Sequence, residues 1–179
     1  ESPRYDDQAK GAENPVRRVK GQVRTLRLGL QDQAGFAPDE HSAILPWMIA
    51  HAASLITRYQ VGEDGRTPYR RLHGRTYDRK VAEFGETVLF LKPGSHGRGL
   101  AERWGQGVYL GAREDSVDHY IGIRNGVIKA KAFGRQPDGR RWDQDLLRNM
   151  RGSPWDPHPD AVRSQAQPDD RDWFQGEPV

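Results

Sequence analysis

The hydrophobic period changes once along this chain, near Glu83, and that change limits the fold more than any other feature. Before it, apolar residues recur every three or four positions, the spacing of one helix face. After it, short runs of β-branched and aromatic residues alternate with glycines, the pattern of strands and tight turns. The first helix is expected over Asn14–Gln33, where Val16, Val19, Val23, Leu26 and Leu30 form one stripe. Asn14 and Pro15 read as its N-cap and first residue, and Gly35 as its stop. A second helix is expected from Ser42, a possible cap, to Tyr59. It is apolar nearly all round, which implies burial in a larger body. Thr67-Pro68 opens a short third helix that ends at Gly74. Helices with apolar surface and no strands before them read as the end of an α/β domain whose sheet lies upstream.

Strands are expected at Thr87–Leu91, Gly107–Leu110, Val117–Ile123 and Val127–Phe133, with Asn125-Gly126 as a two-residue hairpin turn between the last two. So many short strands within about fifty residues read as a small all-β barrel or sandwich. Trp142–Met150 suits one more short helix. The Pro-, Asp- and Gln-rich residues beyond Gly152 suit a disordered tail. The fold class is therefore α+β, divided as 1–80 (helical), 83–136 (β) and 137–179 (short helix and tail).

Several function classes fall away. No run of 18 apolar residues is present, so no membrane-spanning helix is expected. The N-terminus has no basic-then-apolar order and is no signal peptide. With no cysteine, thiol catalysis, disulfides and Cys-ligated zinc are excluded together. The six histidines show no metal-ligand spacing, and His51 on its apolar helix reads as a satisfied core residue. Gly94–Gly99 lacks the Lys-Ser/Thr of a phosphate loop and reads as a hairpin. Trp47 and Trp104 read as core anchors rather than stacking platforms.

A formal charge of +3 says little by itself, but the cations are clustered. Arg17, Arg18, Lys20, Arg24 and Arg27 come without an acid among them, and Arg66, Arg70, Arg71, Arg75, Arg79 and Lys80 with Asp78 alone. The chain beyond Arg140 is net acidic and masks both clusters in the sum. On a helical wheel Arg17, Lys20, Arg24 and Arg27 share one arc beside the apolar stripe. Extending the helix one turn back would add Glu13 to that arc. A carboxylate beside a row of cations suits phosphodiester chemistry, the acid holding Mg²⁺ and the cations gripping phosphates. The same pattern more commonly marks an amphipathic surface helix with an acid near its positive end. The pattern alone leaves both open.

The segment Gly11-Ala12-Glu13-Asn14-Pro15-Val16-Arg17-Arg18-Val19-Lys20-Gly21-Gln22-Val23-Arg24-Thr25-Leu26 resembles the helix that carries the third acidic residue of retroelement integrases. Four later stretches are similar to the Copia-type branch: Leu45-Pro46-Trp47 through His51-Ala52-Ala53, Asp64–Tyr69, Phe84-Gly85-Glu86 and Trp104–Gly111. The likeness runs from about Ser2 to Trp155. Its Gly-x-Glu is one residue shorter than the family's Gly-x-x-Glu, and Pro15 replaces a small helix former.

The resemblance implies the C-terminal helices of an RNase H-like catalytic domain, followed by a small antiparallel SH3-like β-barrel. It implies catalysis and metal binding at Glu13, and DNA contacts from Arg17, Lys20 and Arg24. The basic arc itself adds Arg27 as a DNA contact, and the second cluster offers Arg70, Arg71 and Arg75 as a further patch. The resemblance further implies Mg²⁺ in the complete integrase, DNA as partner, room for a homo-oligomer, and nuclear action on DNA. Both catalytic Asp residues of the family would lie upstream, so this chain alone is expected to perform no strand transfer. The rival reading is a non-catalytic SH3-like binding module or a decayed transposon remnant. Two Asp residues in an upstream RNase H-like context would favour the enzyme.

Overall fold

Three helices precede a β-sheet, and a short helix follows it. A computed structural model describes residues 4–92 and 103–159. The elements are α1 (Arg4–Ala34), α2 (Ile44–Tyr59), α3 (Pro68–His73), β1 (Thr87–Leu91), β2 (Trp104–Ala112), β3 (His119–Ile123), β4 (Gly126–Ala130), β5 (Phe133–Arg135) and α4 (Gln144–Asn149). A 3-10 turn, Asp138–Arg140, joins β5 to α4. The glycine loop 94–99 and residues 160–179 lie outside the described residues.

The first helix begins earlier than Asn14. Pro15 lies inside α1, which runs for 31 residues, ~46 Å at ~1.5 Å per residue. Gln8, Ala9, Lys10, Ala12 and Glu13 are strong helix formers. Pro15 removes one backbone bond, the one to the Gly11 carbonyl, without ending the helix. At the other end Gly35 adopts φ 61° and its N–H donates to Gln31 O at 3.1 Å. The second helix lacks the Ser42 cap. That hydroxyl donates instead to Asp39 at 2.9 Å in the preceding turn, and α2 begins without a side-chain cap. The third helix keeps both its expected ends. The Thr67 hydroxyl accepts from Arg70 N–H at 3.1 Å, and Gly74 closes it at φ 70°.

The strands form one antiparallel sheet in the order β4-β3-β2-β1-β5. It is not closed into a barrel, contrary to the sequence expectation. The expected strand Val127–Phe133 is two strands on opposite edges, β4 beside β3 and β5 beside β1. Closure would need β4 to pair with β5. Instead the β4 edge is occupied by the chain's later residues, where Val127 N–H donates to Pro157 O at 2.7 Å. Four strand spacings separate the edges, ~19 Å if the sheet were flat. Only Lys131 and Ala132 link Ala130 to Phe133, a span of ~10 Å at most. The sheet must therefore curl strongly at that end. The β3–β4 turn is one residue earlier than expected. Ile123 pairs with Gly126, so Arg124 and Asn125 occupy the turn.

The curled sheet buries both faces. Tyr109, Val88, Phe90, Ile121, Ala130 and Phe133 fill the concave side. On the other side Val108, Leu110 and Val127 meet Leu30, Ile44, Trp47 and Met48 from the helices and Leu147 from α4. The helical and β segments thus share one hydrophobic cluster. Gly85, at φ 85°, lets the chain press against the Leu30 side chain, where a Cβ would collide. Residues 152–159 also lie on the fold, since Trp47 Nε1 donates to the buried Gly152 carbonyl at 2.9 Å.

Candidate nucleic-acid interface

Because α1 is one helix past Pro15, positions 13, 17, 20, 24 and 27 follow the i, i+4, i+7, i+11, i+14 series. They fall within about 80° of arc. Glu13 is within the helix, but its side chain lies outside the described residues. Arg17, Lys20, Arg24 and Arg27 are all exposed, and none pairs with an acid among the described residues. They extend over ~15 Å of helix, from ~1.5 Å per residue. Desolvation cost is small for such cations, so they stay free to meet an external anion.

The second cluster is divided. Arg70 and Arg75 are exposed. Arg71 is committed to Asp64 through two hydrogen bonds, Nε at 3.0 Å and the guanidinium nitrogen at 2.6 Å. This fork pins the loop 62–66, whose own turn is closed by Gly62 N–H donating to Arg66 O at 2.9 Å. Hydrogen bonding from Arg71, then from the Arg66 backbone, pulls the Asp64 carboxyl down to about 2. Arg71 is therefore neutralised within the fold. Arg18, off the main arc, lines the cleft toward Arg71 together with Glu63 and Asp64, so the two basic clusters meet across acids.

Among the described residues no three acidic or imidazole groups come together to hold a metal ion. One carboxylate, Glu13, does not make a two-metal site. No metal-dependent step is therefore assigned to this chain alone.

Two aromatic expectations divide. Trp47 is buried in the core, whereas Trp104, at the start of β2, is 45% exposed. His51 is buried beside the Leu110 backbone, and its Nδ1 makes no well-formed hydrogen bond among the described residues. Its ring packs 5.1 Å from Phe84 and 6.4 Å from Tyr109. Burial, then the nearby Arg58 charge, pushes it down to about 4, so it is neutral at pH 7.

Arg58 was not singled out by sequence. It is buried and donates to the carbonyls of Ala112 at 2.9 Å and Arg113 at 3.3 Å, with its guanidinium 4.4 Å from the Tyr77 ring centre. A cation near the end of an apolar helix carries no signal of such burial. Glu86 was quoted only within a motif. Its fully buried carboxylate meets Arg135 at 2.8 Å.

No family model matches the chain, and no curated protein or solved structure is found to be similar to it.

Proposed function

We propose that this chain is a segment of a Copia-type retroelement integrase whose own contribution is to grip the DNA backbone. The observation that carries the reading is α1. One helix brings Glu13 and four cations, unpaired among the described residues, onto a single face, as an integrase helix presenting its third carboxylate to DNA requires. Cations without base-reading partners position a duplex rather than specify its sequence. The sheet supports the same reading. A four-strand meander whose fifth strand returns beside the first, with a 3-10 turn after it, suits an SH3-like module left open at one seam. In the complete integrase, Glu13 would join two further carboxylates around Mg²⁺, which stabilises the displaced phosphate oxygens.

The test is Glu13→Gln in the complete element's integrase. Strand transfer should be lost while duplex binding and thermal stability stay at wild-type levels. Retained strand transfer would remove Glu13 from the catalytic set.

A further inference from the structure

The apolar stripe of α1 is covered along only part of its length. Leu30 is buried and Val23 and Leu26 pack against the core, but Val16 is 53% exposed. Beside it, Ile49 of α2 is 47% exposed, although α2 reads in sequence as buried all round. Pro15, Val16, Val19, Val23 and Ile49 line an open groove of about 560 Å³, with Lys20 and Arg24 at its rim. An apolar floor with a cationic rim fits an occupant that carries apolar side chains flanked by acids.

The chain contains one such segment. Residues 168–174 read Pro-Asp-Asp-Arg-Asp-Trp-Phe, an aromatic pair preceded by three aspartates with Arg171 among them, net acidic. The described chain ends at Pro159, two residues after the carbonyl that meets β4. Trp173 lies fourteen positions beyond Pro159, a reach of up to ~46 Å at ~3.3 Å per residue. A tether of this length raises the local concentration toward the millimolar range, so even a weak contact is well populated.

We propose that residues 168–174 dock in this groove within the same molecule. Trp173 and Phe174 cover Val16, Val19 and Ile49, and Asp169, Asp170 and Asp172 face Lys20 and Arg24. The docking stands whether or not α1 also binds DNA. If it does, the segment competes with DNA for two of the four cations.

The absence of native cysteine allows a single-site label. The full chain carrying Gln175→Cys, nitroxide-labelled and ¹⁵N-enriched, is compared by NMR before and after reduction of the label. The amide peaks of Val16, Val19, Lys20, Val23 and Ile49 should be lost in the oxidised sample and recovered on reduction. They should also persist once Trp173→Ala and Phe174→Ala are added. Unaffected peaks would overturn the proposal. So would equal broadening in a mixture where the label and the ¹⁵N are on separate molecules, which would mean a second copy fills the groove. Broadening indifferent to the double substitution would overturn it as well.

Discussion

At residue scale the sharpest consequence belongs to His51. Its folded value of about 4 lies below the 6.5 of an exposed histidine. The unfolded chain therefore binds the proton more readily between those two values. Stability from the neutral ring is fully present above pH 6.5 and drains away as pH falls toward 4. The loss over that window is up to ~3 kcal/mol, from ~1.36 kcal/mol per pKa unit. Burial also pushes His119 down, so it acts in the same direction. Measuring guanidinium midpoints against pH in the wild type and in His51→Leu separates the two. The substitution should remove most of the slope between pH 6.5 and 4, and an unchanged slope would reject the assignment. Helical spacing placed His51 in the core, but what surrounds its Nδ1 comes from β2, where Gly111 passes close to the ring. Trp104 was misread for a related reason. The expected strand began at Gly107, and nothing local indicated that β2 would extend back to Trp104 with its first residues past the core.

At the scale of elements, β5 has three residues and pairs only with β1, so backbone bonds hold it weakly. Glu86 supplies the anchor. Its buried carboxylate accepts from Arg135 of β5 at 2.8 Å and from the Glu83 backbone N–H at 3.1 Å, and Arg141 lies 3.8 Å away. Removing it leaves Arg135 with only the exposed Glu83 at 3.1 Å. Glu86→Ala should destabilise the fold by roughly 1–3 kcal/mol, the scale for leaving the part-buried Glu83 N–H without its acceptor, since Arg135 is partly exposed and keeps Glu83. Chemical denaturation measures this, and a loss below ~1 kcal/mol would mean the carboxylate is dispensable. Legibility among the elements followed their local chemistry. The third helix was readable to the residue because Thr67, Pro68 and Gly74 are all end signals. The start of α1 was not, since Pro15 after Asn14 gives the same local signal at a helix start as inside a longer helix. The break between β4 and β5 was hidden too. Val127–Phe133 alternates as one strand would, and only pairing across the curled sheet divides it.

For the whole molecule, the near-neutral sum of +3 conceals a segregated charge. Arg17, Lys20, Arg24 and Arg27 line one helix face, while the chain beyond Arg140 is net acidic and lowers the total. Whether this face binds the DNA backbone, as proposed, is tested most directly by a fluorescence-anisotropy salt titration with a duplex oligonucleotide. Non-specific binding of this type has a Kd of roughly 10⁻⁴–10⁻⁶ M at physiological salt. If four phosphates are neutralised, the slope of log K against log salt should approach about −3.6, at about −0.9 per contact. Replacing Arg17, Lys20 and Arg24 together by Gln should flatten that slope by about 2 to 3 units. The fold should survive, because exposed substitutions away from the core cost little. No binding at low salt, or a slope indifferent to the triple substitution, would contradict the account and leave the basic face of α1 as solvated surface.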